Sequence, residues 1–230
     1  MKSMMNILFA RIRRYSGRAQ FRLIPSPKQA DLIALVESAV YRERLDFFGT
    51  TEPWKNGLTN GGALALMELL IGATRPQNVV EIGSNRGWTA YVMAQAMEEN
   101  PTGLVHTIGP FDSWRFMPVY ESWPSAIRQK VKFYPINSAA FFQDAIAKDQ
   151  RFELIFVDGN HDYEFALFDI QCAARVVTSG GHIVIDNVDL PDVRRATDDF
   201  LSSHLNWTDC RDARRTDILN GSIIAVLVAP

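Results

Sequence analysis

Four side chains in two short stretches carry the chemistry this sequence is best equipped to do. Asp158 and His161 stand in Val157-Asp158-Gly159-Asn160-His161-Asp162-Tyr163, and Asp186 and Asn187 lie in the run 181–188, GHIVIDNV. Two carboxylates and an amide oxygen form a hard, oxygen-only set, suited to Mg²⁺, Ca²⁺ or Mn²⁺ rather than zinc. His161 titrates near neutral pH, so it is a candidate general base for a hydroxyl proton. Each has a plainer alternative. An Asp that closes a strand also caps the next helix, Asp-Asn is common turn chemistry, and a lone histidine past a strand is often structural.

A second feature precedes these. Glu81-Ile82-Gly83-Ser84-Asn85-Arg86-Gly87 follows an apolar run and leads into a helical one. Glycine at such a turn lets the backbone pass close to a ligand, and the helix start offers free N–H groups. A dinucleotide site would show G-x-G-x-x-G, whereas position 85 is Asn and the glycines are four apart. The spacing therefore disfavours an NAD-linked dehydrogenase. A tight strand-to-helix turn that needs two glycines is the competing reading.

These groups can act together only if one scaffold brings them to one edge. From residue 78 onward, short apolar runs alternate with helical stretches. Strands are expected at 78–83, 103–109, 131–137, 152–159, 181–188 and 222–229. Helices are expected at 89–99, 163–177 and from Pro191 towards His204, with proline in the favoured first turn. This alternation implies βαβ units and a parallel sheet covered on both faces. In such a sheet, ligands bind beyond the carboxyl ends of the strands, where Gly83, Gly87, Asp158, Asp186 and Asn187 all fall. Before residue 78 the pattern is helical, at 28–42 and 62–72, with a loop at 47–61 between. The expected organisation is one domain, with an arm and helices at 1–77 and a core at 78–230.

The glycine loop resembles motif I of class I S-adenosylmethionine-dependent methyltransferases. Asp158 with the Asp186-Asn187 pair is similar to the metal set of the catechol O-methyltransferase branch. The stretch 157–163 with Gly180-Gly181 resembles the macrocin and cephalosporin-hydroxylase-like branch, which shares the Asp-x-x-His arrangement. The resemblance covers roughly residues 78–190 and implies a Rossmann-like, doubly wound, mostly parallel seven-stranded α/β sheet with an N-terminal helical extension. It implies S-adenosyl-L-methionine as cofactor, held by Glu81, Gly83, Ser84, Asn85, Gly87, Asp112, Asn137, Ser138 and Asp158. It further implies Mg²⁺ or another hard cation on Asp158, Asp186 and Asn187, with His161 and Asp158 catalytic. The acceptor would be the hydroxyl of a small sugar, diol or phenol. One departure stands out: the acid that usually ends the second strand and grips the ribose is replaced at Gly109, so Asp112 or another polar group must do that work. Asn137 and Ser138 read equally well as caps of the following helix. A metal-independent methyltransferase and a non-catalytic nucleotide-binding α/β module are the alternatives.

The bulk composition fits this class. The chain has 230 residues, 47% hydrophobic and 22% charged, with a net charge of −2, which gives no electrostatic reason to expect a nucleic-acid partner. Cys172 and Cys210 are too few for a disulfide framework, and a cytoplasmic setting is the default. No run approaches the roughly 18–20 apolar residues of a membrane span. No acidic residue precedes Asp31, while Arg11, Arg13, Arg14, Arg18 and Arg22 do. That start fits a solvated basic arm, a transit peptide or a membrane-surface helix. The N-terminal helices are candidates for a homodimer contact. The aromatics of 110–124 are expected either to form a substrate lid or to build a small local core.

Overall fold

A computed structural model describes residues 34–35, 37–50, 61–110, 113–210 and 224–230. Its centre is a seven-stranded sheet in the order β3-β2-β1-β4-β5-β7-β6. The strands are β1 (Asn78–Ile82), β2 (Leu104–Ile108), β3 (Val131–Tyr134), β4 (Phe152–Val157), β5 (Val177–Ile185), β6 (Thr208–Asp209) and β7 (Ala225–Val228). β1 to β5 run parallel, while β7 lies antiparallel to both β5 and β6. The sheet is the Rossmann-like, doubly wound, mostly parallel α/β architecture that the resemblance implies. From β1 the chain winds outward to β3, then returns to add β4 on β1's other side. The crevice of the fold therefore opens where β1 and β4 meet.

Strand residues are apolar on both faces because both faces are covered. Val79, Val105, Leu154, Phe156, Val184 and Val226 join one core, with helices α1 (Ala39–Thr50), α2 (Gly61–Thr74) and α3 (Trp88–Ala96). Val80, Ile82, Ile155, Val157, Ile183 and Leu227 join the other. That second face carries α6 (Ser138–Ala147), α7 (Tyr163–Val176) and α8 (Pro191–Ser203). Between β2 and β3 stand α4 (Ser113–Tyr120) and the single turn α5 (Ser125–Arg128).

Helix α2 is apolar around almost its whole circumference, and its Leu64, Leu66, Met67, Leu69, Leu70 and Ile71 are all buried. Each such side chain stabilises the fold by about 2 kcal/mol when taken from water. α1 is fastened to α2 by the Arg44 guanidinium, which donates two 2.6 Å bonds to the Glu68 carboxylate. That paired geometry lets Arg44 be buried while it stacks its guanidinium near Phe47 and Phe48.

Several boundaries differ from the sequence reading. α1 runs through 47–50, which periodicity assigns to a loop, and residues 51–60 lie outside the described residues together with the arm at 1–33. The third strand stops at Tyr134, since Asn137 turns to cap α6. The fifth stops at Ile185, so Asp186 and Asn187 sit in the loop beyond it. The two-residue β6 is too short to leave a periodic signal. Among the described residues, no helix is long and apolar enough to cross a membrane.

Burial forces two histidines to stay neutral. His182, inside β5, and His106, inside β2, are both held down to about 4 by desolvation, with Lys132 adding to the effect at His106. Their folded values lie below the ordinary 6.5, so the unfolded chain takes up protons that the folded chain refuses. Unfolding free energy should therefore fall as pH drops from about 6.5 towards 4. His182→Met should flatten that slope in denaturant titrations across this range, and an unchanged slope would refute the assignment.

Candidate functional site

The site is laid out by backbone. Gly109 N–H donates to the Tyr134 carbonyl at 3.1 Å, Gly83 to Ile108 at 2.9 Å, Asp158 to Ile82 at 2.9 Å and Asp186 to Val157 at 3.0 Å. Each residue just past a strand is thus tied to the last residue of the neighbouring strand. Gly83, Asp158 and Asp186 leave the sheet side by side, as the sequence reading requires.

The glycine loop is tightly confined. Gly83 has φ 106° and Gly87 φ 81°, both in the region that side chains avoid. A Cβ at Gly83 would overlap the Asp158 carbonyl, and one at Gly87 would stand 2.6 Å from the Phe116 ring. Asn85, at φ 40°, is the residue type that best tolerates this backbone. Gly87 stands at the start of α3 as its N-cap and supplies no side-chain cap. The Ser84 hydroxyl is buried with no partner among the described residues. Glu81 is buried too, and the Thr107 hydroxyl across the β1–β2 register donates to its carboxylate. Thr107 is a participant that the sequence reading passed over. Its only signal is its place opposite Glu81.

Asp158 and Asp186 face one another across the β4 and β5 ends. Asp186 is 2% exposed; its Oδ1 accepts from the Asn187 N–H at 2.9 Å, and its Oδ2 has no partner among the described residues. Burial first, and then the Asp158 charge, push its carboxyl well above the usual carboxylate range. His161 Nε2 lies 3.6 Å from Asp158 Oδ1. Asp158 is the main cause raising the imidazole, with Asp186 and Asp162 adding charge against some burial. At that distance the contact is a loose ion pair rather than a formed hydrogen bond. Asn187 takes φ 57°, and its carbonyl accepts from Leu190 N–H at 2.9 Å. Arg194 Nε donates to Val188 at 3.1 Å and steadies the same loop. Among the described residues, no three His, Cys, Asp or Glu side chains are grouped to hold a metal. The set here is two carboxylates and an amide.

At the third strand end, the Asn137 side chain accepts from Ala140 N–H at 2.8 Å and caps α6. Ser138 is half-buried beside it. Asp112 lies outside the described residues, as do 211–223. His204 bonds to the Phe200 carbonyl at the end of α8, away from these loops.

The aromatic segment resolves towards the local core. Phe116 and Trp123 are buried, with Phe116 stacked on Phe133 at 4.2 Å and Trp123 edge-on to Tyr91 at 5.3 Å. Together they press on Gly87 and support the loop from behind. Among the described aromatics of the segment, only Trp114 is open to solvent.

Comparison with known proteins fits this geometry. Residues 80–188 match a family model described as a methyltransferase domain. No curated protein matches the chain. Among solved structures, an O-methyltransferase from Bacillus cereus in complex with S-adenosylhomocysteine is similar, with TM-score 0.60 and 15% identity over 84% of this chain and 92% of that one. The O-methyltransferase TomG from Streptomyces achromogenes, in complex with S-adenosylmethionine, gives 0.56 and 16% over 84% and 90%. A methyltransferase of Podospora anserina bound to S-adenosylhomocysteine gives 0.56 and 16% over 90% and 97%.

Gly83→Ala tests the packing of the loop. The backbone strain and the overlap with Asp158 should cost about 1–3 kcal/mol of unfolding free energy in denaturant. Gly49→Ala, whose Cβ would meet nothing within 4 Å, should cost nothing. Equal stability of both variants would contradict the geometry.

Proposed function

We propose that this chain, an S-adenosylmethionine-dependent methyltransferase by its domain at residues 80–188, methylates a hydroxyl oxygen of a small sugar, diol or phenol with the help of a hard divalent cation. One observation carries the metal part: a carboxylate oxygen, Asp186 Oδ2, is buried and unpartnered beside a second carboxylate. Two facing carboxylates repel one another unless a cation lies between them or one is protonated. Asp158, Asp186 and Asn187 would hold that cation, most simply Mg²⁺, whose chemistry tolerates retained waters and a chelating substrate. When bound, such an ion lowers the pKa of a hydroxyl and fixes its position.

The chain's own groups do the rest. Glu81, Gly83, Ser84, Asn85 and Gly87 line the loop proposed to seat the methionine end, beside the start of α3. Asn137 and Ser138 stand at the proposed adenine side. Asp112 stays a candidate for the ribose hydroxyls. His161 turns Nε2 towards Asp158, which leaves Nδ1 as the proton acceptor. The acceptor oxygen attacks the methyl carbon, the carbon–sulfur bond breaks with its electron pair going to sulfur, and the hydroxyl proton passes to His161. Asp158 then stabilises the imidazolium, and S-adenosylhomocysteine leaves.

A metal-independent transfer, with the His161–Asp158 pair as base, is the second reading. It is supported by the His161–Asp158 contact, in which Asp158 raises the imidazole. Mass-spectrometric methylation over a panel of diols, sugars and phenols, run with Mg²⁺ and with EDTA, separates the two. On the metal reading, EDTA abolishes turnover, and Asp186→Ala lowers it by at least about 100-fold while S-adenosylhomocysteine still binds. Full turnover in excess EDTA would leave only the second reading.

A further inference from the structure

Glu81 is an acid placed where the other residues of β1 are apolar or at the strand's start. It is 1% exposed and stands one residue before the strand ends. Side chains two apart on a strand share a face, so Glu81 stands with Val79 on the face that α2 and α3 cover. The register puts Phe156 of β4 on one side of it and Thr107 of β2 on the other, with Phe133 of β3 beyond Thr107. Thr107 is buried, and its hydroxyl donates to Glu81 Oε2. Just past this pair, the Gly83 and Ser84 N–H groups donate to the Ile108 carbonyl at 2.9 and 3.0 Å. Thr107 and Glu81 therefore meet directly before the glycine loop, on the face where that loop runs into α3.

For stability alone, an apolar pair would serve better here, since a buried carboxylate is costly even when it is hydrogen-bonded. A carboxylate at such a place is of use when a cation binds beside it. Threonine suits the support of that carboxylate. Its β-branching stiffens χ1, and a hydrogen bond to an ionised acceptor is among the stronger kinds. We propose that Thr107 is a positioning residue that holds Oε2 of Glu81 and so sets the carboxylate to meet the ammonium group at the methionine end of the cofactor. The role rests on the reading of Glu81 as part of the cofactor site, and it is independent of the metal. Thr107 acts through Glu81 and touches neither cofactor nor acceptor.

Calorimetric titration with two probes tests this: S-adenosylhomocysteine, and methylthioadenosine, which keeps the adenosine and the thioether but lacks the amino-acid end. Thr107→Val should bind S-adenosylhomocysteine on the order of tenfold more weakly. Its affinity for methylthioadenosine should stay within about threefold of the parent chain. A general loosening of the sheet would weaken both alike, and that result would overturn the proposal, as would unchanged affinity for both. Thr107→Ser keeps the donor and should stay within about threefold for S-adenosylhomocysteine. Once Glu81→Gln has removed the charge, adding Thr107→Val should weaken binding by no more than about a further threefold. Losses that simply multiply in the double variant would overturn the role. If Glu81→Gln weakens S-adenosylhomocysteine binding while Thr107→Val does not, the cofactor reading of Glu81 stands and the positioning role falls. If Glu81→Gln has no effect, both fall. Should Thr107→Val not fold, a drop well beyond about threefold in Thr107→Ser would overturn the role just as directly.

Discussion

The parallel register at the carboxyl ends of the strands is the constraint on which the site depends. In a parallel pair the hydrogen bonds are slanted and evenly spaced, so the first residue past one strand can still donate to the last carbonyl of its neighbour. Gly109, Gly83, Asp158 and Asp186 all do so. Four loops far apart in sequence are therefore held to a common level before any side chain is considered. The glycine loop and the Asp158 backbone then meet so closely that only a residue without a Cβ fits at Gly83. The loop that would hold a cofactor and the carboxylate that would serve catalysis are, in effect, one packed unit.

The two faces of the sheet contribute differently to that unit. On one face, Phe116 and Trp123 back the glycine loop at Gly87. On the other, Tyr163 donates to Asp199 at 2.8 Å while the Arg195 guanidinium sits 3.9 Å from its ring centre, which braces the start of α7 against α8. Asn160, accepting from Asp162 N–H at 2.8 Å, shapes the short loop between. His161 is thereby carried on a stretch fixed at both ends, though its own side chain is well exposed. That combination suits the base role proposed for His161.

Much of this was legible in the sequence because the relevant signals are local. Short, nearly continuous apolar runs, separated by helical periods, name the strands and their order of appearance. Polar residues just past those runs name the site, since an α/β sheet presents them at one edge. What was not legible depends on contacts between distant segments. Nothing local tells that Thr107 bonds to Glu81, or that Phe116 and Trp123 after the second strand fold inward. β6 escapes notice because two residues carry no period. Strand ends were overrun at Tyr134 and Ile185 because single apolar residues further on, Ile136 and Val188, extend the pattern past the point where the hydrogen-bond ladder stops. The position of Asp112, on which the ribose contact was expected to turn, lies outside the described residues.

Helix α2 has a consequence for how the polypeptide can be divided. Its side chains belong to the same core as Val79, Val105 and Phe156, and it has almost no polar face to turn outward. A cut between Thr74 and Asn78 would leave the sheet with one flank bared and the excised helix with nowhere to hide its leucines. The signature loops and strands all lie downstream of that cut, yet the piece that contains them would not be a self-sufficient body. A recognisable motif region and an autonomous folding unit are, in this chain, two different lengths of polypeptide.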